Sequence, residues 1–235
     1  MRARARYTKH MYFKNRAQAG RKLALKMKKY KSEHCTVVAL NSGGVLVGAQ
    51  IALQLHANLM VLMSEQIILP GESEALASMT TNTMTFNKRY SQGELDEFVS
   101  EYHTTIEDQR VEKFHKLNKL LSDGGDIDPK FLRHHTVILV ADALQTGVML
   151  EVAADYLKPT KLEKLVIATP IASVNAVDRM HLIGDEIYCL SVSENLMESN
   201  HYYDENTLPD HSNVIKIIRN ISLNWDISTA NTTNR

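Results

Sequence analysis

Short apolar runs alternate along the chain with stretches in which apolar residues have helical spacing. A continuous run of about five aliphatic residues is typical of a strand that is buried on both faces, as in a parallel sheet. The runs predict five strands, at residues 36–40, 59–63, 136–141, 165–169 and 186–192. Helices are predicted at 45–55 and 147–157, directly after the first and third of these strands. Strand, glycine turn, helix and strand in this order form a parallel βαβ unit.

The middle of the chain has a different pattern. Residues 94–121 are rich in charge, and their apolar positions form a helical stripe that stops before a pair of glycines. Residues 214–218 fit either a helix or a strand, and the small polar residues 228–235 predict a frayed tail. The sequence therefore predicts one α/β domain over residues 1–235, with a doubly wound, mostly parallel sheet and a helical insertion at about 94–121.

Composition narrows the class of protein. The 235 residues are 44% apolar but only 6% aromatic, so we expect a sizeable core that is mostly aliphatic. No apolar run is long enough to span a bilayer, which argues against a membrane-spanning protein. The two cysteines, Cys35 and Cys189, are too few for a disulfide-stapled secreted scaffold. The first residues lack a hydrophobic signal segment, so a cytoplasmic protein is expected.

The net charge of zero conceals an uneven distribution. Residues 1–31 contain 12 of the 27 Lys and Arg residues and no acid, and the remainder is strongly acidic. Such a segment binds nucleic acid or an anionic membrane, acts as a transit peptide, or forms the solvated face of a first helix. The near-helical spacing of Ala17, Leu23, Ala24 and Met27 favours the helix. RNA binding stays open as a third hypothesis, which rests on the charge distribution alone.

Two predicted strand-to-helix turns carry candidate chemistry. Ser42, Gly43 and Gly44 follow the first strand, where paired glycines either let main-chain N–H groups approach an anion or simply make the bend. Asp142 follows the third strand, at the edge where open α/β sheets bind ligands, and Thr146 lies four residues later at the start of the next helix. Together they could bind a sugar phosphate, or Asp142 could be a surface residue and Thr146 an N-cap.

Residues 137–149 resemble the phosphoribosyl-diphosphate (PRPP) motif of type I phosphoribosyltransferases, in which four apolar residues and two acids precede a loop ending Thr-Gly-x-Thr. Further segments resemble an uncharacterised bacterial branch of that family in the same order along the chain: 13–24, 43–45, 70–74, 165–172 and Tyr202-Tyr203. The resemblance extends from about residue 13 to residue 219 and is collinear, which is more specific than one motif. It also indicates that most of the basic segment belongs to the domain.

The resemblance implies a Rossmann-like phosphoribosyltransferase fold and a set of roles. Asp142 would hold the ribose hydroxyls of PRPP as the catalytic residue, and Ser42, Gly43 and Gly44 would contact the diphosphate. The 5-phosphate would be bound by the loop Ala143, Leu144, Gln145, Thr146, Gly147 and Val148. Mg²⁺ would enter bound to PRPP, with no direct protein ligand. A homodimer is also implied, because this fold commonly dimerises.

The chain departs from the family pattern where the ligand would bind. Five expected features are replaced: the first acid by Ala141, a glycine by Ala143, a threonine by Met149, an arginine by Ser42 and an Arg-Lys pair by Glu65-Gln66. Each lost charge-assisted hydrogen bond removes roughly 1.5–3 kcal/mol. The sequence therefore predicts a protein that binds PRPP or a related phosphorylated ribose or nucleotide, and transfers phosphoribosyl to an unknown acceptor if active.

The alternative is a catalytically impaired protein on the same fold. It would act as a nucleotide or sugar-phosphate sensor, or as a regulator that binds RNA or protein. The acceptor would lie against the first residues, the 94–121 insertion or the Tyr202-Tyr203 region.

Overall fold

The computed structural model describes residues 12–72, 75–81, 83–122 and 129–230. Parts of four predicted features lie outside these ranges: Arg2, Arg4 and Arg6 of the basic segment, Ser73 and Glu74 of the Pro-Gly segment, the glycines at 124 and 125, and tail residues 231–235.

Eight strands and seven α-helices make up the described chain. The strands are β1 (Cys35–Ala39), β2 (Asn58–Val61), β3 (Glu65–Ile67), β4 (Ala77–Met79), β5 (Met84–Phe86), β6 (Thr136–Val140), β7 (Lys164–Ser173) and β8 (Glu186–Ser193). The helices are α1 (Arg16–Lys26), α2 (Ser42–Leu55), α3 (Gln92–Glu101), α4 (His103–Ser122), α5 (Val148–Leu157), α6 (Val174–Ile183) and α7 (His211–Ala230). Short 3-10 helices cover Lys28–Ser32, Pro129–Leu132 and Ser199–Tyr202.

The central sheet has five parallel strands in the order β2-β1-β6-β7-β8. Every residue of β1 and β6 is buried, because helices cover both faces of the sheet. One apolar cluster joins α1, α2 and α7 to one face, and another joins α5 and α6 to the other. The predicted α/β class with a mostly parallel sheet is confirmed. The strand order reverses between β1 and β6, which is where sheets of this kind bind ligands.

A second, antiparallel sheet of β3, β4 and β5 packs under the helical insertion. Its core includes Ile67, Leu76 and Met79 against Ile106 and Leu117 of α4. The sequence did not predict this sheet, because three-residue strands are too short to show a period.

The prediction of a single helix over residues 94–121 is wrong in one respect. The helix breaks at Tyr102, whose backbone leaves the helical region (φ −106°, ψ 23°) and ends α3. Two helices, α3 and α4, therefore replace it.

Three other predictions need correction. The strand predicted at 165–169 continues as far as Ser173, and α6, which follows it, was not predicted. Residues 214–218 are helical, and their helix includes 228–230 of the predicted tail. Helix α1 buries Leu23 and Ala24 as expected, but Ala19 is buried where Ala17 was predicted. None of the helices in the described ranges is long and apolar enough to cross a membrane.

Candidate functional site

A cleft of about 580 Å³ opens at the carboxyl ends of β1 and β6. Its walls are the loop 142–147 after β6, residues 64–66 at the start of the small sheet, and residues 198–200. The lining also includes three residues that matter for the chemistry: Asn41, Lys113 and Met149. The predicted residues from Asp142 to Gly147 therefore share one site. Val148, Ser42, Gly43 and Gly44 are not among the described residues that line it.

Asp142 is buried, with 3% of its surface exposed, so the interpretation as a surface residue is wrong. Its Oδ2 accepts a hydrogen bond from Nε of Arg16 at 2.7 Å, and its Oδ1 accepts one from Nδ2 of Asn41 at 2.8 Å. The hydroxyl of Tyr203 donates to its main-chain carbonyl at 2.6 Å. Both carboxylate oxygens already have a protein donor, which limits what a ribose hydroxyl could donate to.

Arg16 connects the first helix to Asp142, although Arg16 itself is not among the described residues that line the cleft. Its guanidinium is 1% exposed, lies 4.4 Å from the ring centre of Tyr203, and donates through Nη2 to Oδ1 of Asn200 at 2.8 Å. Nη1 is buried without a partner in the described chain. Burial and the nearby charge of Asp142 both raise the pKa of Tyr203 above its usual value, so its phenol stays protonated and donates.

Gly43 and Gly44 are required by packing against this network. A Cβ atom on Gly43 would overlap with Oδ2 of Asp142 and lie 2.8 Å from Nε of Arg16. A Cβ atom on Gly44 would lie 2.6 Å from the main-chain oxygen of Val140. Asn41 caps α2 by accepting from the N–H of Gly44. The paired glycines, which the sequence predicted as a turn before a helix at 45–55, instead form the first turn of α2 and let it lie directly against the residues after β6.

The loop after β6 presents unpaired donors. The main-chain N–H groups of Gln145, Thr146, Gly147 and Val148 donate to no acceptor in the described part of the chain. They stand at the N-terminus of α5, where unpaired N–H groups and the helix dipole favour an anion. Gly147, not Thr146, is the N-cap of this helix, with a φ of 74° that favours glycine.

Strand β7 holds this loop in place. The N–H of Leu144 donates to the carbonyl of Ile171 at 3.0 Å, and the N–H of Ser173 donates to the carbonyl of Leu144 at 2.9 Å. The Ser173 hydroxyl donates to the carbonyl of Gln145 and accepts from the N–H of Ala176. The loop is therefore fixed by the part of β7 that the sequence did not predict.

Acidic residues outnumber basic ones on the cleft walls. The charged side chains in the described lining are Glu65, Lys113, Asp142 and Glu198. Within the described residues no cluster of three or more His, Cys, Asp or Glu could hold a metal ion. The oxygen donors of the cleft fit Mg²⁺ bound chiefly by a ligand's phosphates, since Mg²⁺ in such sites takes few protein ligands.

Sequence reasoning missed several residues of the site. Arg16 was noticed only as part of a resembling helix, and a buried arginine leaves no signal in hydrophobic periodicity. Lys113 and Asn200 come from segments far along the chain, and only folding places them at the cleft. Asn41 did leave a signal in the sequence, because an Asn before a helical glycine pair predicts an N-cap.

No family model matches the chain. Two Mycobacterium tuberculosis proteins named Putative phosphoribosyl transferase, MT0597 of strain CDC 1551 and Rv0571c of strain H37Rv, are each 26% identical to it over 182 residues. The match covers 76% of this chain and 40% of theirs, so the chain spans about two fifths of the length of these curated relatives.

The fold has solved counterparts. The crystal structure of TT1426 from Thermus thermophilus superposes with a TM-score of 0.69 at 25% identity, covering 88% of this chain and 98% of that one. A purine phosphoribosyltransferase from Pyrococcus horikoshii Ot3 aligns over 83% of this chain and 91% of its own, at 16% identity and a TM-score of 0.46, too distant to support an argument. The resemblance to phosphoribosyltransferases is thus confirmed in sequence, and the fold of the chain is similar to that of TT1426.

Proposed function

We propose that this chain is a phosphoribosyltransferase-like protein that binds the 5-phosphate of PRPP, or of a related ribose phosphate or nucleotide, in the cleft after β6. The observation that carries the proposal is the row of unpaired N–H groups from Gln145 to Val148 at the start of α5. Such a row at a helix N-terminus can bind a phosphate, because unpaired N–H groups and the helix dipole both favour an anion. The likeness to proteins named phosphoribosyl transferase supports the same ligand class.

In transfer, the nucleophilic atom of the acceptor forms a bond to C1 of the ribose, and the bond from C1 to diphosphate breaks. The protein contributes mainly by positioning the ribose and by stabilising charge. The cleft-lining residues Gln145, Thr146 and Gly147, together with the N–H of Val148 at the start of α5, would hold the 5-phosphate, and Asp142, which also lines the cleft, would contact the ribose. Mg²⁺, when present with PRPP, would neutralise diphosphate charge beside the acidic cleft residues.

A second candidate is phosphate binding without transfer, as in a sensor. It is favoured by the hydrogen bonds that Arg16 and Asn41 already donate to the two oxygens of Asp142. These two bonds occupy about half of the acceptor sites of a carboxylate that is also buried, which reduces what it can offer to the ribose hydroxyls. The protein would then bind ribose 5-phosphate or a nucleoside monophosphate and release no diphosphate from PRPP.

The phosphate site is tested by calorimetric titration with ribose 5-phosphate and a glycine variant. We expect Gly147→Ala to lower the affinity about tenfold or more, because a Cβ atom at φ 74° would strain the loop and lie 2.8 Å from Cδ of Arg179. Gly71→Ala is the matched control: its φ is also positive, at 87°, but a Cβ atom there would contact nothing within 4 Å. Absence of ribose 5-phosphate binding to the unaltered protein would contradict the proposal.

The two candidates separate in a turnover assay. Diphosphate release from PRPP with Mg²⁺, over a panel of purine and pyrimidine acceptors, is expected of a transferase and should be reduced in Asp142→Asn. Binding of ribose 5-phosphate and nucleoside monophosphates with no diphosphate release would support the sensor instead.

A further inference from the structure

Lys113 carries the positive charge among the described side chains that line the cleft, where the other charged groups are Glu65, Asp142 and Glu198. A ligand with a second anionic group, beyond the phosphate bound at α5, would meet Asp142 and Glu65 already paired with Arg16 and Lys116, and Glu198 as a repulsive charge. Its affinity therefore depends on whether Lys113 can reach that group. Lys113 belongs to α4, in the helical insertion, and so comes from a different part of the fold than the loop 142–147 that also lines the cleft.

The Lys113 ammonium is held in place by two acceptors. Its Nζ donates to the main-chain oxygen of Gln66 and to Oε1 of Gln109, the latter at 2.9 Å. An ammonium has three N–H donors, so one donor remains for a ligand in the cleft. Because the side chain is already ordered, binding an anion would cost less conformational entropy than ordering a free lysine.

The turn of α4 that presents Lys113 is fastened to the small sheet. Gln109 donates from Nε2 to the carbonyl of Ile68 at 2.8 Å and accepts from the N–H of Ile68 at 3.2 Å. One turn further on, Nζ of Lys116 lies 2.6 Å from Oε1 of Glu65. That pair offsets the Glu65 charge at the cleft edge. The insertion thus positions one ammonium at residues 65–66 and neutralises the acid beside it.

We propose that Lys113 binds the second anionic group of the ligand, the diphosphate where the ligand is PRPP, while the N–H row from Gln145 to Val148 binds the 5-phosphate. The inference rests on the proposed function, because it presupposes a ribose phosphate at α5. It makes the insertion helix a determinant of specificity: ligands with two separated anionic groups bind more tightly than those with one.

The test compares PRPP with ribose 5-phosphate by calorimetric titration on the unaltered protein and three variants. In Lys113→Met we expect the affinity for PRPP to fall about tenfold or more, and the affinity for ribose 5-phosphate to change less than about threefold. Lys113→Arg should recover most of the PRPP affinity, because it restores the charge. Arg110→Met is the matched control: Arg110 is on the same helix, its side chain is 53% exposed and pairs with Glu107, and it is not among the described residues that line the cleft, so its loss should leave the ratio of the two affinities unchanged.

The outcomes separate the two claims. If the unaltered protein binds ribose 5-phosphate but Lys113→Met leaves PRPP affinity unchanged, or lowers both affinities equally, the inference is wrong and the proposed function stands. If the unaltered protein binds neither ligand, the proposed function fails and the inference fails with it. Thermal melting of each variant shows whether it is folded before it is titrated.

Discussion

At the scale of single residues, the site is built around one buried ion pair. The Arg16 and Asp142 side chains are 1% and 4% exposed, and their charges are compensated by each other and by Asn41 and Asn200. Removing one partner of a buried pair typically costs about 3–5 kcal/mol, because the other charge stays buried and unpaired. Asp142 therefore has a structural role whatever it contributes to ligand binding. Its loss must be interpreted together with a measurement of folding.

The glycine next to this pair gives a sharp test. Gly43→Ala is expected to lower the free energy of unfolding by about 1–3 kcal/mol, since the added methyl group would displace the Asp142 carboxylate from Arg16. Gly93→Ala is the control, because both glycines are the second residue of a helix, yet nothing lies within 4 Å of a Cβ atom on Gly93. That control should be neutral or stabilising by up to about 1 kcal/mol. Urea unfolding measures both, and equal effects would refute the packing argument.

At the scale of secondary structure, the extension of β7 past residue 169 positions the loop 142–147 that lines the cleft. Ser173 ends this strand, caps α6 through the N–H of Ala176, and donates to the carbonyl of Gln145. The Ser173 side chain thus connects the end of β7, the start of α6 and the loop 142–147. Helix capping alone contributes about 0.5–2 kcal/mol, and here the same hydroxyl also orients the main chain of the loop.

Two serines that cap helices separate the effect of capping on stability from the effect of positioning the loop. Ser173→Ala and Ser91→Ala should each cost about 0.5–2 kcal/mol of stability, because Ser91 likewise accepts from the N–H of Glu94 at the start of α3. Only Ser173→Ala should weaken ribose 5-phosphate binding, by severalfold, since Ser91 is remote from the cleft lining. Denaturant unfolding and calorimetric titration supply the two readouts. A similar loss of affinity in both variants would show that Ser173 acts through stability alone.

At the scale of the whole molecule, the cleft lies between two cores. The central sheet with its helices forms the larger one, and the small sheet with α3 and α4 forms another around Ile67, Leu76 and Leu117. The loop 142–147, the proposed phosphate site, follows β6 of the larger core. Lys113 is in α4, which belongs to the smaller core. A ligand that contacts both would stabilise each against local opening.

Hydrogen exchange tests this coupling. PRPP with Mg²⁺ is expected to slow amide exchange in residues 145–150 and also in the turn of α4 around Lys113. Ribose 5-phosphate should protect only the first region, and the 3-10 helix Lys28–Ser32, away from the cleft lining, should be unchanged by either ligand. Protection confined to 145–150 with both ligands would show that the second core does not take part.

Local pattern was sufficient for the central sheet but not for the surroundings of the site. Residues 36–40 and 136–141 were recognisable as strands because both faces are buried, and β1 and β6 lie within them or extend one residue before them. Hydrophobic periodicity could not reveal strands β3 to β5 or the helix break at Tyr102. Each is set by the packing of the insertion. The correction at Thr146 has a local cause, because either residue of a Thr-Gly pair can be the cap.

The sequence alone determined the α/β class, the strand-to-helix connection that contains Gly43 and Gly44, the one that contains Asp142, and the resemblance to phosphoribosyltransferases. Each of these depends on residues that are close together in the chain. Only the tertiary structure decided that Asp142 pairs with Arg16, 126 positions away, and that Lys113 lines the same cleft as the loop 142–147. Ion pairs and cleft walls join residues through space, and their free energy depends on burial and distance, which sequence spacing does not specify.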